Sequence, residues 1–155
     1  MDSRDLACLM IGIMLGAGIG YIGSNMMKPI VESYSFATTL SLTSTSSSML
    51  VGQTITFKVG INITLPSELQ AIPNINMINQ YLLQDKQVSL LVKGATQELW
   101  GTFGTKTTTY LLEEGTTQFV YTTNINDTYQ IKAVFSGTNL LKASESSILT
   151  LTVTP

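Results

Sequence analysis

Two rules of hydrophobic patterning divide this chain. From Leu6 to Met27 (LACLMIGIMLGAGIGYIGSNMM) every side chain is apolar, small or uncharged. At about 1.5 Å of rise per residue a helix over this run is roughly 33 Å long, against a hydrocarbon core of ~30 Å. Leu9, Ile11, Ile13, Met14, Leu15, Ile19 and Ile22 make it apolar on all sides, as lipid exposure or enclosure by sister helices requires. Gly12, Gly16 and Gly20 recur every four residues and Gly23 follows three later, so they form one stripe on which a second backbone can approach closely. Pro29 ends or kinks this helix, with Ile30 to Phe36 able to add two further turns.

After Ala37 the pattern changes to alternation. Leu40 and Leu42 alternate with Thr39, Ser41 and Thr43 ahead of a serine cluster at Ser46 to Ser48, which reads as a first strand and linker. From Val51 to Leu65 a long strand is expected, with Ile55, Phe57, Val59, Ile61 and Ile63 on one face, Thr54, Thr56, Lys58 and Asn62 on the other, and a bulge at Gly60. Further strands are expected at Gln87 to Gly94, Glu98 to Phe103, Thr108 to Glu114, Thr116 to Asn124, Asp127 to Gly137 and Ser147 to Pro155. Turns are expected at Gly94 to Ala95, Glu114 to Gly115 and Gly137 to Asn139. Between Pro66 and Lys86 the rhythm breaks: Ile75, Ile78, Tyr81 and Leu82 stand at helical spacing, an insertion whose short helix covers the core or meets a neighbouring copy.

The fold class this implies is α+β by layout, an N-terminal apolar helix followed by an all-β immunoglobulin-like antiparallel sandwich of about seven or eight strands. Its parts are an assembly or transmembrane-like helix over residues 1–36, a Ser/Thr-rich linker and first strand over 37–48, and the sandwich over 49–155 with its insertion at 66–86.

Charge narrows the function. Only 12% of residues are charged, net charge is −2, and no basic run exists to neutralise phosphates, so no nucleic-acid partner is expected. Histidine is absent, and the single cysteine, Cys8, lies in the apolar run, so no intrachain disulfide is possible. Glu113 and Glu114 are adjacent in an expected turn, and Asp85 and Asp127 stand apart from other acids. No catalytic residue, metal ligand, cofactor or small-molecule substrate is therefore expected, and the chain reads as a non-enzyme. Asn62-Ile63-Thr64 and Asn126-Asp127-Thr128 fit the glycosylation acceptor pattern, with both asparagines at positions expected to be exposed.

The segments GQTITFKV, VSLLVKG and YQIKAVFSGTNLLKASESSILTLTV resemble the immunoglobulin-like repeats of prokaryotic surface proteins, with Gly52, Thr56, Phe57, Tyr129, Ala133, Phe135, Gly137, Ser144, Ser146 and Val153 at matching positions. The overall layout of an apolar helix, a short joint and one Thr-rich β-domain is similar to archaeal type IV pilins and archaellins. That resemblance implies a pilus-like homopolymer for adhesion or motility, in which helices bundle in a filament core and β-domains form the sheath. Those precursors carry a basic residue and then glycine or alanine ahead of the apolar segment, whereas here Arg4 precedes Asp5 and Leu6. The difference shifts weight from a processed pilin toward an uncleaved anchor or another filament type.

Two function classes stay open. In one, the chain is a structural subunit of an extracellular cell-surface filament, membrane-inserted before assembly and partnered by copies of itself. In the other it is a single-pass membrane-anchored protein with an external immunoglobulin-like binding or spacer domain. A viral envelope or capsid-associated protein would share the layout.

Overall fold

The computed structural model describes residues 35–65, 75–111 and 114–155. Gly12, Gly16, Gly20, Gly23, Cys8 and the expected helix over 1–36 lie outside the described residues, apart from Ser35 and Phe36. Among the described residues no helix is long and apolar enough to cross a membrane.

The described chain forms ten strands and one helix. In order they are β1 (Ala37–Ser44), β2 (Ser48–Leu50), β3 (Thr54–Thr64), α1 (Ile75–Leu83), β4 (Gln87–Gly94), β5 (Gly101–Thr107), β6 (Thr109–Leu111), β7 (Glu114–Thr122), β8 (Thr128–Phe135), β9 (Ser144–Glu145) and β10 (Leu149–Thr154). They build two sheets, one in the order β1-β3-β7-β6 and one in the order β2-β10-β8-β4-β5, with β9 also paired to β8. Strand β3 shows why the sheets stack. Its alternate residues Ile55, Phe57, Val59 and Ile61 are all buried, while Thr54 and Lys58 face water. Opposite them, Val88 and Leu90 of β4, Ile131 and Ala133 of β8 and Leu151 of β10 are equally buried, which closes one core between the layers. Each large side chain so enclosed contributes about 1.5–3 kcal/mol.

The strand order is that of an immunoglobulin-like sandwich with β5 added beside β4: leaving β2, β5 and β9 aside, the first, second, fifth and fourth strands form one sheet. A second feature of that architecture is present at the start of β8. The Tyr129 hydroxyl donates to the Ile125 carbonyl at 3.3 Å, a tyrosine corner, and Ile131 follows two residues later where antibody domains place a disulfide cysteine. Here Ile131 is instead fully buried in the apolar core.

Several local expectations are corrected. The sandwich is not wholly antiparallel, because β2, expected as linker serines, runs parallel to β10 with Met49 opposite Val153. Three residues are too few for a period-two signal. Gly60 forms no bulge: its pairings to Ser41 and Thr116 continue without a shift, and the irregularity lies between Leu90 and Leu91. The glycine is needed for close approach instead, since a Cβ there would lie 2.7 Å from Ser41 Oγ and 2.9 Å from Glu114 Oε2. Glu114 and Gly115 are not a turn but the first residues of β7. The expected strand from Glu98 begins only at Gly101, because Gln97 N–H bonds the Gly94 carbonyl at 3.0 Å and closes a turn first. Likewise Val51 to Gln53 form a turn, with Gly52 at φ +79°, so β3 starts at Thr54.

At the end of the sandwich near Thr122, the Tyr121 ring meets those of Phe103, Tyr129 and Phe57 edge-on, with centroids 5.0, 6.0 and 6.1 Å away. Burial, and then the negative charges that Tyr129 and Asp127 can carry, push the Tyr121 hydroxyl above the ordinary tyrosine pKa.

Candidate functional site at the joining end of the sandwich

The end of the sandwich where the chain enters from its N-terminal segment is built from α1, the β5–β6 junction and the loop after β8. Helix α1 is amphipathic. Leu82 and Leu83 are buried against the sheet, Ile78 is half-buried, and Met77 and Tyr81 stand 70% and 57% exposed on another face. Tyr81 therefore points away from the core, unlike the expectation from its spacing, and Leu83 takes its place. The helix lies so close to β7 that a Cβ on Gly115 would fall 2.6 Å from the Leu83 carbonyl oxygen.

The C-terminus of α1 is clasped by the junction between β5 and β6. Thr108 is fully buried; its hydroxyl donates to the Leu83 carbonyl at 2.5 Å and accepts from Lys86 N–H at 3.0 Å. Backbone bonds run from Asp85 N–H to the Thr108 carbonyl and from Thr108 N–H to the Lys86 carbonyl, both 2.9 Å. The Lys86 ammonium donates to the Gln84 carbonyl at 2.9 Å, placing a cation at the negative end of the helix. The Thr108 hydroxyl thereby satisfies the Leu83 carbonyl, one of those a helix leaves open at its last turn.

Across from α1 the chain joins the sandwich. Phe36 is buried; its N–H donates to the Leu140 carbonyl at 2.8 Å, and its own carbonyl accepts from Lys142 N–H at 2.9 Å. Thr38, also buried, donates to the Lys142 carbonyl at 2.8 Å and shares a hydrogen bond of 2.6 Å with the Ser144 hydroxyl. The loop that receives Phe36 turns at Gly137, whose φ of +83° and whose Cβ distance of 2.8 Å to the Leu141 carbonyl oxygen both demand glycine. Between this loop and α1 runs an open groove of about 740 Å³, lined by Met77, Tyr81, Lys86, Asp85 and Leu140 among others. It is mainly apolar, with one acid and one base on its rim. The sequence shows the helical spacing that includes Tyr81, but neither the outward Met77 face nor the opposing wall, where Gly137 and Phe36 bring Leu140 across.

The remaining site expectations fall elsewhere. Asn62 was expected to be exposed; it is half-buried on β3, and its side-chain amide donates to Glu114 Oε1 at 3.0 Å. Glu114, expected as a solvated turn acid, is half-buried for the same reason. Asn126 is exposed in the loop between β7 and β8, at the far end from Phe36. Trp100 is flanked by the Lys132 and Lys93 ammonium groups at 5.0 and 5.9 Å, and Lys132 pairs with Glu145 at 2.7 Å. Among the described residues no three metal-ligating side chains gather in one place.

No protein-family model matches the sequence, and no curated protein matches it. The fold is similar to solved β-sandwiches at low identity. The neelaredoxin-type superoxide reductase of Ignicoccus hospitalis is 12% identical, with TM-score 0.44 over 75% of this chain and 80% of that one. A putative superoxide reductase of Thermotoga maritima is 12% identical, with TM-score 0.48 over 76% and 86%. The CARDB domain of a Pyrococcus furiosus protein, solved with di-metal ions, is 11% identical, with TM-score 0.42 over 79% and 94%. The likeness is one of architecture: the described residues form a mostly β, two-sheet sandwich with one short helix.

Proposed function

We propose that the chain is a structural subunit of an extracellular, pilus-like surface filament, in which N-terminal helices pack together in the core and β-sandwiches face outward. The observation that carries this reading is the uncharged run from Leu6 to Met27 with its stripe of Gly12, Gly16, Gly20 and Gly23, joined by a short segment to a sandwich whose first buried residue is Phe36. The position of the groove supports it too. The chain enters the sandwich at Phe36, which bonds Leu140, so the groove lies at the end of the sandwich from which residues 1–34 continue. In this reading a second copy of the chain occupies the groove, and the task of the protein is assembly for adhesion or motility.

Replacing Gly16 with Leu tests the core of the reading. A leucine on the stripe separates helices that glycine lets touch, so filaments seen by electron microscopy of the full chain disappear while the sandwich stays folded. Filaments that persist unchanged overturn close helix packing. Extraction only by detergent, as monomers or small oligomers, favours the single-pass anchor with an external spacer domain.

A further inference from the structure

We propose that Asn126 is a saccharide-attachment site, modified after the sandwich has folded, and that Asn62 is left bare although it sits in the same Asn-x-Thr pattern. The inference rests on the extracellular placement proposed above.

The two asparagines differ in what holds their amides. Asn62 lies in β3 opposite Thr39 of β1, and its Nδ2 is committed to Glu114 Oε1 at 3.0 Å. The other Glu114 oxygen lies over Gly60 of the same strand, where a Cβ would come within 2.9 Å of it, so the carboxylate rests in the space this glycine leaves. Attaching a saccharide to Asn62 would break this bond, leave a half-buried carboxylate short of a partner and require a bulky group to stand on a continuous sheet face.

Asn126 is surrounded by hydrogen bonds in which its side chain takes no part. The Ile125 carbonyl accepts from the Tyr129 hydroxyl and Ile125 N–H donates to Thr123 Oγ1 at 3.2 Å. The Asp127 carbonyl accepts from Val153 N–H at 2.9 Å, Asp127 Oδ2 accepts from Ala95 N–H at 3.2 Å, and Oδ1 accepts from Thr128 N–H at 2.7 Å. The loop is thus braced on both sides of an exposed asparagine, and Thr128, the third residue of the pattern, is exposed as well. A transferase can reach both side chains without unfolding anything.

The co-reactant is a saccharide activated as a lipid phosphate ester. Nδ2 of Asn126 attacks its anomeric carbon, the carbon–nitrogen bond forms as the carbon–oxygen bond to phosphate breaks, and the lipid phosphate leaves with the electron pair while the amide gives up one proton. Oxidation states do not change. Strand β8 separates Asn126 from the Phe135 end by about 25 Å, so the saccharide projects away from the groove and leaves that surface clear for a neighbouring copy.

Peptide mapping by mass spectrometry, on the full chain purified from the cells that naturally make it, tests this. Trypsin releases Asn126 in the peptide Thr107 to Lys132 and Asn62 in the peptide Val59 to Lys86. The expected result is saccharide mass on the first peptide only, lost in Asn126→Gln and retained in Asn62→Gln. Saccharide on the Asn62 peptide, or both peptides at their unmodified masses, overturns the proposal. Filaments formed by a chain bare at Asn126 would overturn it while leaving the filament reading intact, and saccharide on Asn126 of a chain that never polymerises would do the reverse.

Discussion

The Thr108 hydroxyl donates to the Leu83 carbonyl across 2.5 Å of fully buried space, and so ties the last turn of α1 to the junction of β5 and β6. Because the same oxygen accepts from Lys86 N–H, one side chain satisfies two backbone groups, the Leu83 carbonyl in a fully buried bond and the Lys86 N–H in a partly buried one. Thr108→Val keeps the shape and removes both bonds. An unsatisfied buried group costs about 1–3 kcal/mol, so the variant should lose stability in that range. Trp100, the only tryptophan in the chain, reports urea unfolding by its fluorescence. A change below a few tenths of a kcal/mol would show that α1 is held by its apolar face alone.

Asp85 raises the opposite expectation. It sits at φ +56°, in the left-handed region, just past the end of α1, where it also brings a carboxylate to the negative pole of the helix. Glycine adopts this backbone without strain and carries no charge. Asp85→Gly should therefore raise stability by about 0.5–1 kcal/mol, while Asp85→Val, with a β-branched side chain at positive φ, should lower it. The order Gly, Asp, Val in urea midpoint checks the argument, and any other order refutes it.

Tyr121 predicts an alkaline limit. Its pKa is raised in the folded chain, by burial first and then by the nearby Tyr129 and Asp127 charges. Between the unfolded value of about 10 and the higher folded value, the folded state holds the proton that the unfolded state releases. Stability from this group is complete below the unfolded pKa and is lost as pH rises through the folded one. Tyr121→Phe removes the titrating proton and should flatten the decline of urea midpoint above pH 10, leaving the profile near neutrality unchanged in shape. An identical alkaline slope in both proteins would contradict the assignment.

The legible parts of the fold were those in which a long alternation or a helical spacing repeats. Ile55, Phe57, Val59 and Ile61 announced β3, and Gln87 to Gly94 is the strand the sequence predicts, to the residue. Short pairings escaped because their meaning lies in the partner: Ser48 to Leu50 become a strand only against Thr152 to Thr154. Glycines were misread for a related reason. Gly60 and Gly115 look like bulge and turn residues, but they serve close approach by Glu114 and by the backbone of α1, which no local pattern records. The acceptor asparagines show the same limit, since exposure of Asn62 is decided by Glu114, a residue far along the chain. Of the groove, only the short helix that carries Tyr81 could be seen in advance, and not the outward face on which Met77 and Tyr81 stand.

That face gives the last prediction. Met77 and Tyr81 are four residues apart on α1 and both project into water beside Leu140. Replacing both with lysine adds two positive charges to an apolar surface without disturbing Leu82 or Leu83, which face the core. Exposed substitutions of this kind shift stability by no more than about 0.5 kcal/mol, so the urea midpoint of the double variant should match that of the parent. If a second copy rests in the groove, burying two unpaired ammonium groups there is costly, and polymer seen by electron microscopy should be lost or shortened. Methionine to leucine at position 77 serves as the conservative control and should polymerise normally. Filaments of undiminished length from the double-lysine chain would remove the groove from the subunit contact while leaving the helix-packing proposal at Gly16 to be judged by its own variant.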